Sequence, residues 1–300
     1  MNKQPILFAG SSHVDLAKKV SNQLQIDLGR MQLNEFPDGE TNVQILDDVR
    51  DRHVFILQSI AGKPNHYLCE LLIIIDALKR SSAKSITAII PYLGYCRQDR
   101  KNKPGVPITA KLVANILTSA GITNLITFDL HSDQVEGFYE TRVDHLNCQK
   151  LLCEKARSVI GDDFIVVAPD IGSIKIAERM AKILNSGLVV IKKERLNSFD
   201  VNMTLIGNVQ DKNVLIVDDL CSTAGTLVAA AKLCRQQGAK KIIAAITHGL
   251  FTGDALKNIE SSDLEYLLIT DTIAISNPLP KSIKTVSVDA MIADAIQTIC

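Results

Sequence analysis

A chain of 300 residues is long enough for one large or two ordinary domains with full cores. Its 33 basic and 33 acidic residues cancel, and with Trp absent and aromatics scarce it has neither a net field for nucleic acid or anionic membrane nor a base-stacking platform. Seven scattered cysteines, with no CxxC pair or zinc spacing, and an N-terminal apolar stretch too short for a signal core lead to the expectation of a cytoplasmic protein with reduced thiols and neither a nucleic-acid nor a membrane partner.

In chain order, strands are expected at "PILFAG", "HVFILQS", "SITAIIPYL", "NLITFDLH", "FIVVAPD", "LVVIKK", "NVLIVDD", "KIIAAITHG" and "EYLLIT". Amphipathic helices are expected between them at 15–24, 65–79, 109–120, 148–159, 173–184, 225–237 and 290–299. The most apolar of these, "LCELLIIIDAL", is broken by Glu70 and Asp76 and is too short to span a membrane. Strand–helix alternation of this kind predicts an α/β fold with mostly parallel sheets. A weak internal echo, strand–loop–helix–turn–strand ending in His, relates the stretch from "SITAIIPYLG" to "FDLH" to that from "NVLIVDD" to "ITHG". It predicts two related α/β domains with a boundary near Asp144.

The candidate sites lie where strands end. "NEFPDGETNVQI" carries a Pro-Asp-Gly turn and reads as a hairpin tip. After "SITAIIPYL", the residues Arg97, Arg100, Lys101 and Lys103 crowd one loop between Gly94 and Gly105. Such a loop either closes over a polyphosphate or is a solvated basic turn. His131 ends a strand between Asp129 and Asp133; a lone His beside carboxylates suits hydrogen bonding better than magnesium, which prefers oxygen. Asp170 precedes a glycine turn, where it can hold a ligand hydroxyl or hydrated metal or simply shape the turn. Lys193 and Arg195 are two apart, so an extended backbone sends both to one side, a placement suited to developing negative charge.

The densest signal is "VLIVDDLCSTAGTLVAAA". Ser222, Thr223, Gly225 and Thr226 sit where strand turns to helix, and a helix start offers free N–H donors to a phosphate. Asp218 and Asp219 cannot bind that anion; they suit sugar hydroxyls or a divalent cation beside it. The residues alone leave open a plain helix cap with solvated aspartates.

Together and in this order, "FPDGETNVQI", "YLGYCRQDRK", "PITAKLVANIL", "FDLHSDQVEGFY", "VAPDIG" and "IVDDLCSTAGT" closely resemble the ribose-phosphate diphosphokinase (phosphoribosyl pyrophosphate synthetase) family over about residues 6 to 297. The resemblance implies two phosphoribosyltransferase-like domains, 1–144 and 145–282, with a strand and helix over 283–300 packing back on the first. It implies magnesium-dependent transfer of the ATP diphosphate to the 1-hydroxyl of ribose 5-phosphate. Phe36, Asp38, Gly39 and Glu40 match a hairpin that reaches from a neighbouring subunit to cover adenine, implying a homo-oligomer, a dimer at least and up to a hexamer. Arg97, Gln98, Asp99 and Arg100 fall where the family binds ATP, and His131 and Asp170 match its metal positions. Lys193 and Arg195 match the catalytic pair. Asp218, Asp219, Ser222, Thr223, Ala224, Gly225 and Thr226, with Arg195, match the ribose 5-phosphate site.

The chain departs from the family's pattern within several of these motifs. Ser222 stands where Asp is usual, Ser173 where a second glycine is usual, "KKER" replaces "DKRR" but keeps Lys-x-Arg, and "KNKPGVP" has Pro-Gly where Ser-Arg is frequent. A salvage phosphoribosyltransferase shares the "DDLCSTAGT" type of loop but needs only one such domain. A catalytically silent regulatory homologue is expected to lack the Lys-x-Arg pair or the metal positions.

Overall fold

Among the described residues, nine of the fourteen strands are the short apolar runs that sequence periodicity marks, and the helices between them each bury one stripe. The computed structural model describes residues 4–161, 163–195, 201–275 and 278–299, with the backbone alone for 194, 195, 201 and 202. The chain divides into two compact units, Met1–Leu146 with Thr272–Ala274 and Val288–Cys300, and Asn147–Asp271 with Ile275–Ser287.

The first unit is built from β1 (Ile6–Ala9), α1 (Val14–Leu24), a hairpin of β2 (Met31–Glu35) and β3 (Thr41–Ile45), β4 (His53–Leu57), α2 (Pro64–Arg80), β5 (Ser85–Ile90), α3 (Thr109–Ala120), β6 (Asn124–Phe128) and β7 (Arg142–Leu146). A short 3-10 helix, Asp133–Phe138, precedes β7. Five strands form one parallel sheet in the order β1-β4-β5-β6-β7, while β2 and β3 pair antiparallel apart from it. Helix α2 buries Leu71, Ile74, Ile75 and Leu78, the i, i+3, i+4, i+7 set of one helical face, against the same core as Val54, Ile56 and Ala88.

The second unit runs α4 (Gln149–Ile160), β8 (Phe164–Ala168), α5 (Ile174–Leu184), β9 (Leu188–Arg195), β10 (Val201–Ile206), β11 (Asn213–Cys221), α6 (Gly225–Gln236), β12 (Ile242–Gly249), α7 (Ala255–Glu260), β13 (Tyr266–Thr270) and β14 (Ile283–Val286). Its sheet has seven strands in the order β10-β9-β8-β11-β12-β13-β14, parallel except for the edge pair β10/β9. Every residue of β12 is buried, as expected of a central strand covered on both faces. Helix α6 repeats the pattern of α2 with Leu227, Ala230, Ala231 and Cys234.

The final helix, α8 (Asp289–Ile299), packs on α1 in the first unit, where Gln23 Nε2 donates to Asp289 Oδ2 at 3.2 Å. The strand before it does not follow: β14 pairs with β13, so of the segment expected to return to the first domain only the helix does so. The reason is local, because Ile283–Val286 completes the open edge of β13 with a four-residue parallel register. No helix among the described residues is long and apolar enough to cross a membrane.

Candidate active site

In the second unit the parallel strands bring their carboxyl ends to one edge of the sheet, where the following loops collect. Strand β8 delivers Asp170, β9 carries Lys193 three residues beyond its pairing with β8, and β11 carries Asp218 and Asp219. The loop after β11 is only Ser222, Thr223 and Ala224. Ala224 is left-handed (φ 63), which turns the chain sharply into α6.

Five of the expected residues and one unexpected residue are in contact at this edge. Lys193 Nζ donates to Thr226 Oγ1 at 3.0 Å and lies 3.7 Å from Asp170 Oδ2. Ser173 joins the carboxylates: its Oγ is 3.1 Å from Asp170 Oδ1 and 2.8 Å from Asp218 Oδ1, and Asp218 Oδ1 also accepts from the N–H of Asp219 at 3.0 Å. Burial of its carboxyl, with the charges of Asp219 and Asp170 close by, pushes Asp218 up to about 8; the Ser173 bond works against the shift. Asp170 and Asp218 share the Ser173 hydroxyl, and the Asp170 carboxylate, facing one ammonium at 3.7 Å, offers the hard oxygen donors that suit a divalent cation.

The anion loop is braced from behind. Ser222 Oγ and Thr252 Oγ1 are 2.9 Å apart, the N–H of Thr252 donates to the Ser222 carbonyl at 2.9 Å, and Asn258 Nδ2 donates to the Thr223 carbonyl at 3.3 Å. Its front is open: a Cβ on Gly225 would meet only Thr223 Oγ1, at 3.8 Å. Space that only a missing Cβ leaves free, in front of helix-start N–H groups that have no intrahelical partner, is the shape of an anion cradle. Thr252 and Asn258 escaped the sequence reading. Adjacency of β11 and β12 was the signal that could have found them, because loops after neighbouring parallel strands lie side by side.

In the first unit, "YCRQDRKNKPGVP" leaves β5 as an exposed loop, with Arg97, Gln98, Arg100, Lys101 and Lys103 all exposed. Two of its residues are anchored. Gln98 Oε1 accepts from Thr109 Oγ1 at 2.6 Å and its carbonyl accepts from the N–H of Ala110 at 3.1 Å, clamping the loop to the start of α3. The Asp99 carboxylate accepts from Ser132 Oγ at 2.7 Å and Gln134 Nε2 at 2.8 Å, tying the loop to the turn that carries His131. That turn begins where Asp129, at φ 30, ends β6 earlier than the "NLITFDLH" run suggests. It is braced by His145 Nε2, which accepts from the N–H of Leu130 at 2.9 Å. His131 itself is exposed.

The hairpin tip is wholly exposed, Phe36 by 49%. Its turn is closed by the N–H of Phe36 to the Glu40 carbonyl and that of Gly39 to the Phe36 carbonyl, each 2.8 Å, with Glu40 N–H to Asp38 Oδ1 at 3.2 Å. Gly39 has φ 90, which a side chain would resist. Arg195 ends β9 opposite Val201, and its side chain lies outside the described residues.

Comparison with known proteins joins both units. Residues 5–121 match the N-terminal domain of ribose phosphate pyrophosphokinase, and residues 197–300 match a phosphoribosyl synthetase-associated domain. A ribose-phosphate pyrophosphokinase of Fusobacterium nucleatum is 43% identical over 298 residues, covering 98% of this chain and 94% of the relative. One from Campylobacter jejuni is 44% identical over 295 residues, covering 98% and 95%. The crystal structure of phosphoribosylpyrophosphate synthetase from Mycobacterium smegmatis aligns with a TM-score of 0.94 at 36% identity over 99% of each chain.

Proposed function

The chain belongs to the ribose-phosphate pyrophosphokinase family, and we propose that it moves the β,γ-diphosphate of ATP onto the 1-hydroxyl of ribose 5-phosphate, giving 5-phosphoribosyl 1-pyrophosphate and AMP. The observation that carries this reading is the contact of Lys193 with both Thr226 of the anion loop and Asp170, beside Asp218, in a chain matched along its whole length by that family.

The residues divide the work by chemistry. The N–H groups and hydroxyls of Ser222, Thr223, Ala224, Gly225 and Thr226 take the sugar 5-phosphate, and Asp218 and Asp219 accept from the ribose hydroxyls. With the phosphate fixed at one end and the hydroxyls at the other, the 1-hydroxyl oxygen is oriented for in-line attack on the β-phosphorus. The new O1–Pβ bond forms as the bond from Pβ to the α,β-bridging oxygen breaks. AMP leaves with that oxygen, and the hydroxyl proton passes to solvent. Lys193, with Arg195 two residues on in the same strand, offsets charge on the transferring group. No covalent enzyme intermediate is needed.

In the first unit, Arg97 and Arg100 are the cations for the ATP phosphates, and Gln98 and Asp99 serve by holding that loop to α3 and to the His131 turn. Asp170 in the second unit and His131 in the first would each be a position that holds magnesium, which would supply neutralisation of polyphosphate oxygens. No three His, Cys, Asp or Glu side chains among the described residues form a ready-made metal cage. The exposed Phe36 ring, with Asp38, Gly39 and Glu40, reads as the cover for adenine in a neighbouring copy, which makes a homo-oligomer the working form. Purified protein given ATP, magnesium and ribose 5-phosphate is expected to release AMP and 5-phosphoribosyl 1-pyrophosphate one for one. AMP release that does not depend on ribose 5-phosphate would refute the proposal.

A further inference from the structure

Ser173 lies in the turn between β8 and α5 and is 1% exposed. Its hydroxyl stands 3.1 Å from Asp170 Oδ1 and 2.8 Å from Asp218 Oδ1, and its N–H donates to the same Asp170 oxygen at 3.3 Å. The turn is fitted closely around that oxygen, since a Cβ on Gly172 would come within 3.2 Å of it. A serine hydroxyl has one proton to give, so two carboxylates compete for it. Whichever carboxylate is better neutralised from outside releases the proton to the other. The contacts are also directional. Ser173 holds Oδ1 of each aspartate, and at Asp170 it is the other oxygen, Oδ2, that lies 3.7 Å from Lys193.

We infer that Ser173 is a positioning residue that couples the two ligand sites of the second unit: a cation bound at Asp170 frees the Ser173 hydroxyl for Asp218 and fixes that carboxylate for the sugar. This rests on the assignment above of Asp170 to metal and Asp218 to ribose hydroxyls. The coupling is reciprocal, so the sugar phosphate tightens metal binding by the same factor as metal tightens sugar phosphate binding. It needs no turnover and no ATP.

The test uses the full-length protein with Mn2+ as the metal probe. Mn2+ binding is followed by electron paramagnetic resonance and ribose 5-phosphate binding by calorimetry, each with and without the other ligand. Ser173→Ala and Ser173→Gly both remove the hydroxyl and differ in size, and glycine is tolerated at a helix start. In the wild type, Mn2+ is expected to tighten ribose 5-phosphate binding. In both variants that tightening should shrink about tenfold, the scale of one lost hydrogen bond to a charged group, with the thermal midpoint little changed. Unchanged coupling in both variants, or loss in one and not the other, overturns the inference while leaving the proposed activity standing. A wild type that binds no ribose 5-phosphate overturns both.

Discussion

Replacing Lys193 by alanine separates its structural from its catalytic share. In the resting site its ammonium makes one hydrogen bond to Thr226 Oγ1, at 3.0 Å, and one ion pair with Asp170, at 3.7 Å, with the two side chains 25% and 37% exposed. A partly solvated pair of that kind contributes about 0–1 kcal/mol, and the hydrogen bond about 1 kcal/mol. The melting temperature should therefore fall by only a few degrees, on the order of 2–4 °C per kcal/mol in a chain of this size. Charge that develops on the transferring diphosphate is a different matter, because the contact strengthens only as the transition state forms. Losing such a contact costs on the order of 10²–10³ in rate, about 3–4 kcal/mol. Steady-state release of AMP, followed by chromatography with both substrates varied, should show kcat down by about that factor. Turnover within a few-fold of wild type would refute the role given to Lys193.

Gly225→Ala places a methyl in the open front of the anion loop, where the protein itself offers no clash. Its melting temperature should hold or rise slightly, while KM for ribose 5-phosphate rises about tenfold or more; an unchanged KM would mean that the phosphate sits elsewhere. Ser222→Asp adds a carboxylate beside the anion but keeps an acceptor for Thr252, so a rise in KM of at most about tenfold is expected, and complete loss of activity would show a different use of the loop. Burial pushes the thiols of Cys96, Cys153, Cys221 and Cys234 up to about 12, with the charge of Asp218 adding at Cys221, whereas Cys69 is exposed. Peptide mapping after brief alkylation at pH 8 should find Cys69 modified and these four protected until denaturant is added; rapid labelling of Cys221 would contradict its packing. Because these thiols hold their protons more tightly folded than unfolded, the stability they contribute is complete below the ordinary thiol value of 9.0 and lost as pH rises towards about 12. Melting temperatures should decline above pH 9, and a flat profile to pH 10.5 would count against it.

The sequence already marked the buried interior. Runs such as "NVLIVDD" and "KIIAAITHG" are continuous in apolar residues because β11 and β12 are covered on both faces, and the helix Thr109–Ala120 is where periodicity placed it. Strands β7 and β10 were not legible for the converse reason. Each is the last strand of its sheet, and "RVDHL" and "VNMTLI" mix charged or polar residues into an edge strand. At the site, the phosphate loop and the carboxylates showed because glycine, hydroxyls and paired aspartates are compositionally unusual at a strand end. Ser173 showed only as a departure from a pattern. That its hydroxyl spans Asp170 and Asp218 depends on how β8 and β11 pair, which residue spacing does not encode. Asp99 likewise reads as part of a basic loop, and only the fold turns its carboxylate towards Ser132 and Gln134.

Which bond of ATP is broken can be measured with ATP carrying ³²P at the β position. If the diphosphate moves as a unit to the 1-hydroxyl, the label appears in 5-phosphoribosyl 1-pyrophosphate and the nucleotide product is unlabelled AMP. Label recovered in ADP, or in free phosphate with no labelled sugar, would contradict diphosphate transfer by this chain.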